Sequence, residues 1–235
     1  MNQLTWPTNI KYAARIANAR EVTLQGTTDL AFWQRLLDHK GLTAFNSAGR
    51  AHLMINATAL VWKGLAFREY TVTVATADGE QPAQPTGYYL AQAFNSSRSL
   101  AWAERRLFHT PYAHGTIDVG VVPASMHVAE AGATMFKATM NQPSGASPSS
   151  NTAWQGHIFL PTKPAPKQTK RCFFAQLSGP QYSYPFDSAS DHMEIRLSDT
   201  YAVFQWLLDS QFTPQTWHIR PNADHAKSKT YSWSD

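Results

Sequence analysis

The sequence predicts a mainly β (α+β) protein in which one antiparallel sheet is closed or sandwiched and a few helices pack outside it. Many short runs have the alternation or the apolar character of strands, and only three segments show helical spacing. Of the 235 residues, 43% are hydrophobic, which is enough for a substantial core, and only 15% are charged. No break in composition divides the chain, so residues 1–235 are predicted to form one domain.

Charge and cysteine content indicate which partners and which cellular compartment to expect. The formal net charge is +4 and the pI is about 9.2, an excess too small to indicate a nucleic-acid partner. The single cysteine, Cys172, cannot form an internal disulfide, and Met1 to Gly26 contains no apolar signal-peptide core. No stretch approaches the roughly 18 apolar residues of a membrane helix. We therefore expect a cytoplasmic protein with no membrane partner.

The first third of the chain is predicted to hold one helix followed by strands. Apolar residues recur at helical spacing between Thr28 and Gly41, with Thr28 or Asp29 as the N-cap and Gly41 as the stop. Strands are predicted over 52–60, 69–75 and 88–94, with a hairpin loop over 78–87.

The middle of the chain begins with a second short helix. Asn95 to Ser97 supply N-cap side chains, and the helix is predicted to end before Pro111. Residues 141–152 are rich in Ser, Pro, Gly and Asn and are expected to form a mobile loop. Strands are predicted over 117–122, 127–130 and 134–140.

The last third is predicted to continue the sheet. The basic stretch from Lys163 to Arg171 alternates with prolines and lacks aromatic residues, which favours a solvated connector over an RNA-binding groove. A third helix is predicted over 201–208, capped by Ser198 or Asp199. Strands are predicted over 154–160, 172–177 and 217–220.

Two stretches carry a family resemblance. In the first, Arg98 to His114, the residues Leu107, Phe108, Pro111 and Tyr112 match a short Leu-Phe-Gly-x-Pro-Tyr segment. His109 stands where glycine is usual. The second, Gly49 to Val72, includes a Phe-x-Glu that opens a core strand. Together they cover the middle third of the chain, which resembles the acetoacetate decarboxylase-like superfamily, nearest its uncharacterised bacterial branch.

The resemblance implies a conical, closed antiparallel β-barrel with peripheral helices, an internal small-molecule cavity and assembly into a homo-oligomer through outer faces. In the decarboxylase itself, a lysine directly after the motif's proline forms a Schiff base with a β-keto acid, and a second lysine beside it lowers its pKa. Tyr112 and Ala113 occupy those two positions here, and neither carries an amine. The family's iminium chemistry is therefore not carried over to this site.

The motif also nominates residues for the cavity. Glu69 matches a glutamate that lines the cavity of the decarboxylase, and the alternative is a surface ion pair with Arg68. Arg105 and Arg106 are about 100° apart on one helix, so only one can point inward, where it would bind a carboxylate; the alternative is that both are solvated. Tyr112 is expected either to donate to a ligand oxygen or to fill space as an aromatic plug.

Other ionisable residues rank lower. His109 and His114 flank the motif's proline and are weak candidates for acid–base groups. Lys63 and Lys137 lie in apolar strands and can replace the missing amine if they are buried, although a lysine stem over apolar surface is the commoner arrangement.

No metal or cofactor is expected. His127 and Glu130 are predicted to face opposite sides of a strand, and His192 with Glu194 makes only two ligands. Glycine-rich phosphate loops and dinucleotide fingerprints are absent from the sequence. Cys172, between Arg171 and Phe173, is predicted to be a core thiol.

Three functions remain open. The first is a small-molecule-binding β-barrel whose ligand is an organic acid or a carbonyl compound. The alternative is a lyase or hydrolase on the same barrel, with Glu69 acting together with Tyr112 or a histidine, or with a relocated lysine. The third is a non-catalytic assembly protein whose aromatic outer strands associate with copies of itself.

Overall fold

The computed structural model describes residues 10–77, 84–141, 147–161 and 170–233. In these ranges the chain forms fifteen strands and three helices. In chain order they are β1 (Tyr12–Asp29), α1 (Leu30–Asp38), β2 (Thr43–Ala44), β3 (Asn46–Ser47), β4 (Arg50–Trp62), β5 (Leu65–Ala77), β6 (Gly87–Asn95), α2 (Arg98–Leu107), β7 (Tyr112–His114), β8 (Thr116–Val121), β9 (Ala124–Glu130), β10 (Ala133–Thr139), β11 (Ser147–Phe159), β12 (Lys170–Pro185), β13 (His192–Ile195), α3 (Ala202–Asp209), β14 (Thr213–Ser228) and β15 (Tyr231–Trp233).

The larger sheet has eleven strands, and seven of them form a ring of hydrogen-bonded neighbours. The ring runs β5-β4-β1-β14-β12-β11-β6 and returns to β5 through the β5–β6 pairing. Most of these pairs are antiparallel, as expected, but β6 pairs in parallel with both β11 and β7. The expectation of a purely antiparallel sheet is therefore wrong at β6, because its partners β11 and β7 are reached by crossover connections rather than hairpins.

A second sheet of four antiparallel strands packs on one face of the ring. Its order is β13-β10-β9-β8. Between the two sheets lies a buried cluster that we call the inter-sheet core; it includes Ile55 of β4, Tyr70 of β5, Phe136 of β10 and Phe204 of α3. The rings of Tyr70 and Phe136 are 5.6 Å apart. This core accounts for the apolar face of the alternating strands.

The helices lie where the sequence predicts them, with one difference in capping. Asp29 accepts a hydrogen bond from the backbone N–H of Phe32 at 2.6 Å and caps α1. Ser97 accepts from the backbone N–H of Leu100 and caps α2. The expected cap of α3 is wrong, because Ser198 instead accepts from the backbone N–H of Tyr201, and Tyr201 itself holds the N-cap position. No helix in the described ranges is long and apolar enough to cross a membrane.

The sequence missed the strand at the start of the chain. No element is predicted before Thr28, yet β1 begins at Tyr12 and pairs with both β14 and β4. Its alternation of Val22 and Leu24 with polar neighbours is typical of a strand with two different faces. The strand predicted over 217–220 is also longer than expected, since β14 extends from Thr213 to Ser228.

The predicted mobile loop over 141–152 is wrong in its second half. Residues Ser147 to Thr152 belong to β11, where Thr152 pairs with Gly179 of β12. Backbone pairing with β12 holds this polar segment in the sheet despite its loop-like composition. Residues 142–146 lie outside the described residues, as do residues 78–83 of the predicted hairpin loop and 163–169 of the basic connector. Lys170 and Arg171, at the end of that connector, begin β12.

Candidate functional site

The ring strands and helix α2 line a cavity of about 690 Å³ on the face opposite the inter-sheet core. Strand alternation sets this division. In β5, Tyr70 and Val72 are buried in the core, whereas Glu69, Thr71 and Thr73 line the cavity. The volume lies within the roughly 300–1,000 Å³ that is typical of small-molecule sites.

Glu69 lines the cavity as part of a hydrogen-bonded group. Its Oε1 accepts a hydrogen bond from Asn95 Nδ2 at 3.1 Å, across the β5–β6 pair. Tyr112 lines the same part of the cavity, close enough for its hydroxyl to lower the pKa of Glu69. Asn95 in turn accepts from the backbone N–H of Ser97, which joins this group to the first turn of α2. Strand β5, strand β7 and helix α2 thus position Glu69 and Tyr112 together.

The environment of Glu69 changes its ionisation. Burial, together with the negative charge of Glu104, raises the pKa of Glu69 from 4.5 to about 7, although the charge of Lys227 and the Tyr112 hydroxyl oppose the rise. Burial and the charge of Glu69 raise the pKa of Tyr112 well above its ordinary value of 10, so its hydroxyl stays protonated and can donate. A carboxyl group with a pKa near 7 can both give and accept a proton at neutral pH.

An amine lies beside this pair. Lys227 of β14 extends into the cavity, where its Nζ is 2.6 Å from Glu104 Oε2. The Nζ atom is 5.5 Å from the centre of the Tyr112 ring and 4.6 Å from that of Phe173. Only about a fifth of either side chain of the Lys227–Glu104 pair is exposed. We call Glu69, Asn95, Glu104, Tyr112 and Lys227 the Glu69 cluster.

A second polar group lines the same cavity on β1 and β14. The Nε atom of Arg220 is 3.5 Å from Glu21 Oε1, and both side chains are only 7% exposed. The Nε2 atom of His225 is 3.3 Å from the other carboxylate oxygen of Glu21. His218 bridges Gln25 and Ser183 through its two ring nitrogens, at 2.9 and 2.8 Å. We call Glu21, His218, Arg220 and His225 the Arg220 cluster.

Charge settles the ionisation of this second cluster. Burial alone would raise the pKa of Glu21, but the nearby imidazole of His225 and the charge of Arg220 outweigh it, so the pKa is lowered. Burial and the nearby Arg220 lower the pKa of His218. Glu21 is therefore an anion balanced by a guanidinium, while His218 is neutral.

The two arginines predicted from the motif do not reach the cavity. Arg105 and Arg106 are both exposed and neither contributes to its lining. The reason is helical geometry, because the face of α2 that lines the cavity carries Leu100, Ala103, Glu104 and Leu107. Positions 105 and 106 point away from that face, so their expected role in binding a ligand carboxylate is withdrawn.

The two histidines near Pro111 are also outside the cavity. His109 and His114 are exposed, and neither lines it. In β7, Tyr112 is buried against the cavity while His114 is two residues further along, at the exposed end of the strand. His114 is therefore removed from the candidate catalytic residues.

The candidate lysines are replaced by another. Lys63 lies at the exposed β4–β5 turn, where its Nζ is 5.0 Å from the Trp62 ring centre, and Lys137 is exposed on β10. Neither is buried as an activated amine requires. Lys227, which the sequence analysis did not single out, is the lysine whose amine lies in the cavity.

Some of the missed residues carry a sequence pattern that could have revealed them. Glu104 lies on the apolar face of α2 at helical spacing from Leu100 and Leu107. Glu21 is a polar position in a strand-like run in which polar residues alternate with Val22 and Leu24. Lys227 sits in the polar segment Asp224 to Lys229, which has no apolar periodicity. Its position depends on the register of β14 against β1 and β12.

Metal ligands and the thiol offer no further chemistry. Among the residues that the structure describes, no group of three or more His, Cys, Asp and Glu side chains is arranged to hold a metal ion. Cys172 is buried, and burial raises the pKa of its thiol to about 12, so it is a poor nucleophile.

The fold and the cavity together place this chain in a structural class. It has the fold of acetoacetate decarboxylase and acetoacetate decarboxylase-like enzymes, as three solved structures show. No family model matches the chain, and no curated protein matches it in sequence.

The individual similarities are of fold and not of sequence. An acetoacetate decarboxylase-like enzyme from Sphingomonas wittichii RW1 is 16% identical, with a TM-score of 0.61 over 100% of this chain and 99% of that one. Acetoacetate decarboxylase from Legionella pneumophila is 10% identical, with a TM-score of 0.65 over 100% and 93%. The enduracididine biosynthesis enzyme MppR, complexed with the condensation product of pyruvate and imidazole 4-carboxaldehyde, is 10% identical, with a TM-score of 0.62 over 95% and 90%.

Proposed function

We propose that this protein binds a small organic acid or carbonyl compound in its cavity, with the ring of seven strands serving as a closed barrel wall. The observation that carries the proposal is the Glu69–Tyr112 pair, set in a cavity of about 690 Å³. Tyr112 and the protonated form of Glu69 are both hydrogen-bond donors to a ligand oxygen. The rest of the lining is rich in apolar side chains, which favours a ligand with a carbon body.

The binding function is tested by titrating a panel of α-keto acids, β-keto acids and ketones while following tryptophan fluorescence, since Trp62 and Trp154 line the cavity. Tyr112→Phe removes one hydroxyl and is expected to weaken binding roughly three- to tenfold, the range for a lost hydrogen bond. The matched control is Tyr182→Phe on β12, since Tyr182 is partly exposed and does not line the cavity. Equal affinities of Tyr112→Phe and the unsubstituted protein would contradict the proposal.

A second candidate is an enzyme that acts on a carbonyl substrate through Lys227. We propose that the family's Schiff-base lysine is absent from the motif, where Tyr112 and Ala113 stand, and that an amine is supplied from β14 instead. The amine of Lys227, after passing a proton to Glu104, would attack the carbonyl carbon. Glu104 would then return the proton to the hydroxyl group of the carbinolamine, which would leave as water and give an iminium ion. Glu69, with a pKa of about 7, is suited to exchange protons with the bound compound.

Reduction with borohydride separates the two candidates. If the enzyme candidate is right, incubation with a β-keto acid and borohydride yields one adduct per chain by intact-mass analysis. Lys227→Arg abolishes that adduct, and Lys137→Arg, at an exposed position, leaves it unchanged. If the compound binds but no adduct forms, the binding function is supported and the Schiff-base enzyme is contradicted.

Location and assembly complete the proposal. We propose that the protein is cytoplasmic. Its single cysteine, Cys172, is free and buried, which favours a reducing compartment. Assembly into a homo-oligomer is favoured by exposed apolar side chains such as Val61 and Trp102, which are 59% and 56% accessible. Light scattering across a wide concentration range tests assembly, and a monomer throughout would contradict it.

A further inference from the structure

We propose that the cavity selects neutral carbonyl compounds with an apolar body and discriminates against the same compounds carrying a carboxylate. This inference rests on the proposed binding function and narrows it to a substrate class. It follows from how the charges that line the cavity are already paired.

Carboxyl groups outnumber permanent cations in the described lining of the cavity. The carboxyl groups are Glu21, Glu69 and Glu104, and the permanent cations are Lys227 and Arg220. Lys227 is paired with Glu104 at 2.6 Å, and Arg220 lies 3.5 Å from Glu21. A ligand carboxylate would therefore compete with a protein carboxylate for either cation, and it would add a further negative charge to a poorly solvated space.

The guanidinium of Arg220 has further partners besides Glu21. Its Nη1 donates to Thr152 Oγ1 at 2.8 Å and to the backbone carbonyl oxygen of Gly179 at 3.3 Å. Its Nη2 donates to Gln181 Oε1. Bidentate recognition of a carboxylate needs two parallel N–H groups that face the ligand, and these contacts take up that edge of the side chain. Arg220 therefore holds β12 and β14 together rather than offering an open fork.

The environment around Glu69 shows how the cavity treats a carboxylate. Burial and the charge of Glu104 raise the pKa of Glu69 even though Lys227 is close enough to oppose them. A ligand carboxylate placed in the same cluster would meet the same burial and the charge of Glu104. A neutral carbonyl oxygen avoids this cost and still accepts hydrogen bonds from Tyr112 and from protonated Glu69.

The remainder of the lining defines the body of the ligand. Apolar side chains include Leu60, Phe67, Leu90, Trp154, Ile158 and Phe173. A cavity of about 690 Å³ with such a lining suits an aryl or long alkyl group better than a short polar chain. The expected ligand is therefore a ketone, an aldehyde or an ester with an apolar body of ring size or larger.

Three matched probes test the selectivity at pH 6, where Glu69 holds its proton and the keto acid is ionised: 4-phenylbutan-2-one, 2-oxo-4-phenylbutanoate and the methyl ester of that acid. The ketone and the ester are expected to bind the full-length protein at least about tenfold more tightly than the acid, as measured by calorimetry. The ester is the critical control because it retains the size and both carbonyl groups of the acid without the charge.

A charge-altering variant tests the cause. Glu104→Gln leaves the amine of Lys227 without its paired anion, so the affinity for the acid should rise at least about fivefold relative to that for the ester. Glu194→Gln is the matched control, because Glu194 forms an ion pair with Arg196 on β13, away from the cavity, and the net charge changes equally. Thermal unfolding of both variants verifies that they fold. If Glu104→Gln does not fold, the affinities of the unsubstituted protein for the acid and the ester decide the inference.

The outcomes separate this inference from the function on which it rests. If the acid binds as tightly as the ester or more tightly, charge selectivity is overturned and the binding function stands. If none of the three probes binds and no compound of the wider panel binds, both the charge selectivity and the binding function are overturned. An unchanged ratio of acid to ester affinity in folded Glu104→Gln overturns the assignment of the selectivity to the paired lysine.

Discussion

The two faces of the ring sheet contrast in packing and in charge. On one face, Leu53, Ile55, Tyr70 and Val72 are completely buried in the inter-sheet core. On the other, residues from the same strands alternate with them and line a cavity that holds several ionisable groups, Glu69 among them. The same backbone therefore supplies stability from one face and chemistry from the other.

Adjacent residues on β4 give the largest expected contrast. Leu53 is fully buried in the inter-sheet core, whereas its neighbour Met54 lines the cavity. Leu53→Ala is expected to lower the free energy of unfolding by about 2–5 kcal/mol, because it leaves a hole in a packed core. Met54→Ala enlarges an existing cavity and should cost less than half as much. Equal losses in denaturant unfolding would show that the two faces do not differ as described.

The pH dependence of stability provides the next contrast. The pKa of Glu69 is about 7 in the folded protein and its ordinary value is 4.5, so the folded state holds the proton more tightly between these pH values. Stability is thus lost as pH rises from about 4.5 to 7. Glu69→Gln removes that loss, and it should stabilise the protein by about 1–3 kcal/mol more at pH 8 than at pH 4.

Unfolding of both proteins by denaturant at the two pH values measures this difference, and other titrating groups largely cancel between them. Thr71→Ala serves as a control, since Thr71 lines the same face of β5 without a charge. A pH-independent effect of Glu69→Gln would contradict the raised pKa.

The coupling between Lys227 and Glu69 predicts a smaller effect. The charge of Lys227 lowers the pKa of Glu69, so Lys227→Met should raise that pKa further above 7, by about one unit or less. Titration of the Glu69 side-chain carbon resonance by NMR measures the shift. Lys137→Met is the matched control because Lys137 is exposed on the second sheet. A fall in the pKa of Glu69 in Lys227→Met would contradict the position of the amine.

The exposed arginines of α2 should show the smallest effect. Arg105→Ala and Arg106→Ala are expected to change the free energy of unfolding by no more than about 0.5 kcal/mol and to leave ligand affinity unchanged, because neither side chain lines the cavity. Glu104→Ala on the same helix should by contrast alter ligand affinity. Weakened binding in either arginine variant would restore the role that the sequence suggested for these residues.

Much of the fold was predictable because it depends on local patterns. The apolar spacing that predicts α1 and the alternation that predicts β5 both correspond to elements of the structure. The sequence-based prediction was wrong where strand pairing outweighs local amino-acid composition. Residues Ser147 to Thr152 have a loop-like composition, yet they belong to β11 because β12 pairs with it. Strand β6 likewise pairs in parallel with β11 and β7, which no local sequence pattern predicts.

The candidate site divides along the same line. By itself, the sequence predicted that the chain is mainly β and singled out Glu69 and Tyr112 as candidate residues, and it shows that Tyr112 and not a lysine directly follows Pro111. Only the tertiary structure decided which face of α2 lines the cavity, and hence that Glu104 enters it while Arg105 does not. It also brought Lys227, 123 residues further along the chain than Glu104, to within 2.6 Å of it. The physical reason is that helical and strand periods act over a few residues, whereas contacts inside a cavity depend on strand register across the whole sheet.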